Sequence, residues 1–237
     1  MDHKIRQAQD KILAVFAKKA RHFALAGGTA LELYYLKHRF SADLDFFSPD
    51  YDIKEIEELV TAFRASVSKK LKLENEFIAP RKARVRFYTA PIMGSSRPLK
   101  IDFVEDVEFQ NPKINKFDGV RVYSAKNIYF QKIGAIAGTI SAMDDIGRIV
   151  TQGRQKARDV FDVYLLSKKI MPLHNFLKEL PRQLQRGMVH WYRTFSRQDM
   201  KLELLDLGIY DKEFNSREMI LYLENEMKIF IREEIEE

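Results

Sequence analysis

Apolar residues recur at helical spacing from the first turns of the chain. Ile5, Ile12, Leu13, Phe16 and Ala20 share one face and predict an amphipathic helix. Phe23 to Ala26 is a short apolar run that stops at Gly27-Gly28, and Thr29 to Lys37 reads as a second helix with Thr29 as its cap. Ala42 to Phe47 predicts a buried strand, and Ser48-Pro49-Asp50 a turn. Ile53, Ile56, Leu59, Val60, Phe63 and Val67 mark the apolar face of another helix. Arg84 to Thr89 alternates charged and apolar residues, and Leu99 to Val104 follows beyond a Gly94–Pro98 turn region, so the two predict a hairpin with a long loop. Val120 to Tyr123 is a last short strand.

Beyond Ser124 the pattern is helical almost to the end. Helices are expected from Ser124 through Lys132, over Arg158–Lys168, Pro172–Leu180 and Gln183–Phe195, and over Ser216–Glu234. The chain thus divides into a mixed α/β part, 1–123, and an all-helical part, 124–237.

Charge sharpens this division. The net charge is +6 over 237 residues, and +5 of it lies in 1–123. A basic excess there suits a polyanionic substrate. The chain has no cysteine, which excludes disulfides, zinc fingers and thiol catalysis. No histidine pair has H-x-x-x-H spacing and no G-x-x-x-x-G-K-[ST] loop occurs, so neither a zinc enzyme nor a P-loop NTPase is supported. The charged start and the lack of a long apolar run imply a cytoplasmic protein without a membrane span.

The candidate chemistry lies between Phe23 and Phe47. Asp43 and Asp45 are two apart on a strand, so their side chains share a face. Two carboxylates held side by side repel, and a divalent cation such as Mg²⁺ (or Mn²⁺) relieves the repulsion. Gly27-Gly28 lets backbone approach a ligand, and the N–H groups of the helix behind it favour phosphate. Thr29 can add a donor. Asp102, flanked by Ile101 and Phe103, is a charge in an apolar strand that needs a partner or a metal. It could act on the attacking hydroxyl, or it could simply pair with Arg84 or Arg86. Asp43 and Asp45 could likewise be a solvated strand end.

Gly27-Gly28-Thr29-Ala30-Leu31, followed by His38-Arg39-Phe40-Ser41-Ala42-Asp43-Leu44-Asp45-Phe46-Phe47, resembles the signature of the AbiEii/AbiGii nucleotidyltransferase toxins, within the DNA polymerase β-like superfamily. The resemblance weakens through Asp102 and is traced to about Leu166. It implies an α+β fold, a polymerase β-like nucleotidyltransferase domain with a mixed sheet followed by an all-helical domain, with the active site in the cleft between them. It further implies transfer of NMP from an NTP, with Asp43, Asp45 and Asp102 as metal ligands and Gly27, Gly28, Thr29, Arg39 and Ser41 at the nucleotide. The family carries a lysine on the first helix after the sheet and an Arg/Lys-Asp-x-x-Asp run later. Lys132 and Arg158-Asp159-Val160-Phe161-Asp162 match these. Lys132 would contact the triphosphate, with Lys126 and Lys156 as rivals. Asp159 would orient that lysine or the nucleotide. An RNA acceptor, tRNA in some members, and a cognate antitoxin are implied as partners. A protein or small-molecule hydroxyl, or a non-catalytic module keeping the fold, are the alternatives.

Other residues have two readings. Arg39 could be a solvated loop arginine, Lys132 a solvated helix lysine, Asp159 a dipole-favoured helix acid and Asp162 a surface acid. Lys69, Lys70, Lys72, Arg81, Lys82, Arg84 and Arg86 could hold an RNA backbone, or form a surface compensated by Glu74 and Glu76. Trp191, with His190 and Tyr192, fits a helical core better than a base-stacking platform. Asp144-Asp145 and Gly153–Lys156 mark a segment long enough to be an insertion.

Overall fold

The computed structural model describes residues 2–78, 83–138, 141–143, 149–151, 153–154 and 156–236. Backbone contacts divide the chain into two compact units, Met1–Ser124 and Ala125–Glu237.

The first unit is a mixed seven-stranded sheet with helices. Its opening helix, α1 (His3–Lys19), starts where the Asp2 carboxylate accepts the N–H groups of Lys4 and Ile5. Strand β1 (Ala24–Ala26) runs into α2 (Gly27–Ala30), which continues as a π-helical segment, Leu31–Leu36. Then come β2 (Leu44–Ser48), α3 (Ile53–Ser66), β3 (Lys72–Phe77), β4 (Val85–Ala90), β5 (Leu99–Glu105), β6 (Ile114–Phe117) and β7 (Val120–Tyr123). The strand order is β3-β4-β5-β2-β1-β7-β6. Strands β2 and β5 are parallel, as are β1 and β7, while β1 and β2 are antiparallel.

Period-two alternation gives the sheet one dry face. Phe46 on β2 stacks on Phe16 of α1 with ring centroids 4.2 Å apart, and lies 5.4 Å from Phe103 on β5 and 6.1 Å from Phe63 on α3. Ile5, Ile12 and Phe16 from α1, and Ile56, Leu59, Val60 and Phe63 from α3, complete this core. The same alternation sends Asp45 and Asp102 to the other face, where both are only partly covered.

Two strands of this unit were not expected. Strand β3 is exposed along most of its length and carries a register shift between Leu73 and Asn75, so its apolar residues never alternate cleanly. It is an edge strand, with no second face to bury. The β6–β7 hairpin turns at Asp118-Gly119, both with positive φ. That dipeptide is a strong hairpin signal between strands too short to show a period.

The second unit holds α4 (Ala125–Ala137), a two-stranded hairpin of β8 (Ser141–Met143) and β9 (Ile149–Thr151), α5 (Ala157–Lys169), α6 (Leu173–Lys178), α7 (Arg182–Thr194), α8 (Arg197–Leu205) and α9 (Ser216–Glu236). The hairpin departs from the all-helical expectation, and α8 is a helix beyond those expected. Asp144-Asp145 and Gln155 lie outside the described residues. Helices α4 and α7 meet at Gly187, where a Cβ would stand 2.7 Å from the Cβ and carbonyl oxygen of Ala137. Tyr129 stacks on Phe176 at 4.0 Å, and Trp191, 3% exposed, stacks on Phe195 at 4.6 Å. Trp191 is therefore core. No helix among the described residues is long and apolar enough to cross a membrane.

Candidate active site

The site in the first unit is built where β1 ends. Ala26 pairs with Asp45 across the β1–β2 ladder, so the next residue, Gly27, lies against the Asp45 side chain. Gly27 has φ +67°, and a Cβ there would overlap Asp45 Oδ2 and stand 3.0 Å from its Cγ. A side chain is thus excluded twice, by backbone conformation and by the carboxylate beside it. A Cβ on Gly28 would lie 2.7 Å from Arg39 Nη2 and 2.8 Å from Ser41 Oγ. Both glycines are therefore points of close approach, one to an acid and one to a guanidinium and a hydroxyl.

Thr29 is not the helix cap. The helix already begins at Gly27, its cap position is Ala26, and no side chain caps it. Thr29 is fully buried instead, and its hydroxyl donates to the carbonyl oxygens of Asp43 and, at 3.4 Å, Ser41. It ties the glycine turn to the entry of β2. Asp43 sits just before that strand, which starts at Leu44 rather than Ala42. Arg39 is 3% exposed, so it is not a solvated loop arginine.

The loop between the π-helical segment and β2 is held by residues outside the predicted set. Lys37 takes the left-handed conformation, and its N–H reaches back to Glu32 O at 3.1 Å. The buried Glu32 carboxylate accepts the Ser41 N–H at 2.8 Å and pairs with Arg6. Gln9 Nε2 donates to Ser41 O at 3.0 Å. These contacts fix the segment that carries Arg39, Ser41 and Asp43. The sequence signal for Glu32 is a single carboxylate within an otherwise apolar helix.

Asp102 completes the acidic group. It pairs in register with Asp45 in the parallel β2–β5 ladder, so the two side chains leave the sheet on the same side. The arginine partners considered for it are taken: Arg84 binds Glu105 at 2.9 Å and Arg86 binds Glu76 at 2.6 Å. Burial, and then the charges of Asp45 and Asp43, push the Asp102 carboxyl up to about 7. The glycine turn, Thr29, Arg39, Ser41, Asp43, Asp45 and Asp102 are thus brought together.

This predicts a pH dependence in the absence of divalent cation. Asp102 is raised above the ordinary 3.8, so its protonated form favours the fold. The stability it contributes is fully present below about pH 4 and is lost as pH rises through about 7, on the order of 3 kcal/mol. Urea unfolding in EDTA at several pH values should show that loss, and Asp102→Asn should flatten it. An equal slope in the variant would mean that the three acids do not feel one another.

A second acidic group, His22, Asp52 and Glu55, has ligand atoms within 4.8 Å of one another. Each is already used. Glu55 accepts the backbone N–H groups of Arg21 and His22, His22 Nδ1 pairs with Asp50, and Asp52 caps α3. These contacts tie the segment before β1 to the start of α3.

Lys132 and Asp159 belong to the second unit, on α4 and α5. Lys132 Nζ lies 2.6 Å from Asp159 Oδ1 and 2.9 Å from Asp162 Oδ2. The lysine side chain is 9% exposed and both carboxylates are fully buried, so Asp162 is no surface acid and Lys132 no solvated one. Arg154 Nη2 adds a cation 3.1 Å from Asp159 Oδ2. Burial alone would raise Asp159, but Lys132 and Arg154 outweigh it and hold the carboxyl below its ordinary value. The rival lysines are exposed, Lys126 paired with Glu179 and Lys156 with Glu203. Three of the five described residues of the basic cluster are paired with acids, Lys72 with Glu74, Arg84 with Glu105 and Arg86 with Glu76. Arg81 and Lys82 lie outside the described residues.

The fold is similar to that of JHP933 from Helicobacter pylori, at 17% identity and a TM-score of 0.60, covering 98% of this chain and 94% of that one. It is also similar to a provisionally assigned nucleotidyltransferase from H. pylori, at 18% identity and 0.58, covering 97% and 94%. No curated protein matches the chain. Residues 11–231 match the family described as nucleotidyl transferase AbiEii toxin, Type IV TA system, so the likeness extends well past Leu166 through most of the helices. The chain belongs to the AbiEii family of nucleotidyl transferase toxins.

Proposed function

We propose that this protein transfers a nucleoside monophosphate from an NTP to a hydroxyl of RNA, with tRNA as the favoured class, as the toxin of a type IV toxin–antitoxin pair. The observation that carries the reading is the packing of the Asp45 carboxylate on Gly27, with Asp102 in register beside Asp45. A phosphate chain at the glycine turn then lies next to the acids.

Each residue has a distinct task in this reading. Backbone N–H groups at Gly27 and Gly28 donate to the triphosphate, since the free N–H groups at the start of a helix favour anions. Arg39 and Ser41, held against Gly28, donate to phosphate oxygens. Asp102, in register beside Asp45, takes the proton from, or orients, the attacking hydroxyl. Asp43, Asp45 and Asp102 are a hard oxygen donor set whose mutual repulsion a cation relieves, so they fit Mg²⁺ or Mn²⁺. When bound, such an ion polarises the attacking and leaving oxygens. Thr29 and Glu32 hold the loop.

The test is incubation with each α-labelled NTP and total RNA, followed by RNase. Label in RNA that RNase removes is the expected result. Label that stays on protein after RNase would reject RNA as the acceptor.

A further inference from the structure

Helix α7 carries a line of cations that nothing in the proposed chemistry uses. Arg182, Arg186 and Arg193 follow one another at i, i+4 and i+11, which places them along one stripe of the helix. His190 lies on the same exposed face. Together with Val189 they line a groove of about 550 Å³, closed on its other side by Phe230, Ile231 and Glu234 of α9. Arg182 is partly neutralised by its pair with Glu234. Arg186 and Arg193 are exposed and have no acidic partner among the described residues. Three other exposed cations of this unit are paired, Lys126 with Glu179, Lys178 with Glu233 and Arg197 with Glu224, while Lys201, Lys212, Arg217 and Lys228 are scattered singly over other helices and loops and line no groove with them. The opposite face of α7 is packed, with Leu184, Met188 and Trp191 in the core and Gln185 donating to the carbonyls of Leu177 and Leu180. The helix is thus a rigid rail with one cationic edge.

We infer that this groove binds the phosphate backbone of single-stranded RNA, with Arg186 and Arg193 as phosphate contacts and the Val189–Phe230–Ile231 floor against sugar and base. The inference rests on the RNA reading above and deepens it by assigning an acceptor-binding surface. Charge and spacing support it. Arg182 to Arg193 spans about 16 Å at 1.5 Å per residue, long enough to follow a few successive phosphates of a single strand. Alternating cations and apolar surface match a chain of alternating phosphates and bases. A guanidinium offers paired donors to phosphate, which a scattered lysine surface does not.

The experiment uses the full chain carrying Asp43→Ala, so that binding is read without turnover, and a fluorescent single-stranded RNA at several salt concentrations. Adding Arg186→Ala and Arg193→Ala should weaken binding about tenfold near 0.15 M salt and reduce the slope of log K against log salt by about 1.4, two contacts at ~0.7 each. Arg186→Lys with Arg193→Lys keeps the charges and should restore most of the slope. Both positions are exposed, and unfolding curves of all variants should superimpose. Binding and slope unchanged by the alanine pair would overturn the groove, even if transfer to RNA persists. In the labelled-NTP assay on the chain with Asp43 intact, transfer of label to protein, with RNA binding intact, would instead sink the RNA acceptor. Binding of an acidic protein, but not of RNA, through the same arginines would also overturn the inference.

Discussion

Asp45→Asn should abolish nucleotidyl transfer while making the cation-free protein more stable. The activity loss is expected to be roughly 10³-fold or greater, the scale on which removing one electrostatic group at a phosphoryl-transfer centre acts. The stability gain has a separate origin. Asp102, directly across the ladder, is pushed up partly by the charge of Asp45. Neutralising Asp45 removes that repulsion and preserves the volume that packs on Gly27. A gain of about 1 kcal/mol corresponds to roughly 2–4 °C in Tm for a chain of this size. A structural acid behaves oppositely, because its loss removes a bond. Transfer assays and thermal melts in EDTA, on the same preparation, separate the two cases. Retained activity, or lowered Tm with unchanged pH dependence, would show that these acids serve the fold rather than the reaction. The protein's own nucleotide dependence offers a second readout. Arg39 and Ser41 lie against Gly28, so the variant should keep much of its NTP affinity in the absence of cation.

How much of this was legible in the sequence follows from what each feature needs in order to be seen. The site in the first unit is local. Glycine turn, Arg39, Ser41 and the Asp pair fall within twenty residues, and the period-two rule places Asp45 opposite the Phe46 face without any tertiary information. Asp102 was visible as a charge inside an apolar strand, but its register with Asp45 depends on a parallel pairing between strands more than fifty residues apart. No local pattern encodes that. Thr29 misled because a threonine after glycines reads as a cap, whereas here the backbone of Gly27 already opens the helix and the hydroxyl turns to Asp43. Glu32 escaped notice because a glutamate in a helix is ordinary. Only the fold shows it buried and holding the Ser41 N–H. Strand β3 was hidden for the opposite reason, since an exposed edge imposes no hydrophobic pattern. In the second unit, amphipathic spacing found α5, α7 and α9, while short strands and the nine-residue α8 carry too few positions for a period to emerge.

Lys132→Met should be the most destabilising single substitution of a polar residue in the second unit, by about 3–5 kcal/mol. The ammonium stands between two fully buried carboxylates, so its removal leaves Asp159 and Asp162 facing each other without it, with the half-exposed Arg154 beside Asp159. Methionine fills much of the space but cannot supply charge. The effect should depend on pH in a definite direction. In the native protein Asp159 is held below its ordinary value, so its contribution is present above that value and is lost as pH falls through the lower one. Without Lys132, burial is no longer outweighed and protonation relieves the variant first. The gap between the two proteins should therefore shrink as pH falls from 7 toward 4. Adding Asp162→Asn to Lys132→Met should recover part of the loss, because one fewer uncompensated charge is buried. Lys126→Met provides the contrast: its pair with Glu179 is exposed, and its loss should cost under about 1 kcal/mol. Urea unfolding of the four proteins measures all of this. A Lys132→Met cost no larger than that of Lys126→Met would mean that water reaches the cluster, and that the two aspartates do not depend on the lysine between them.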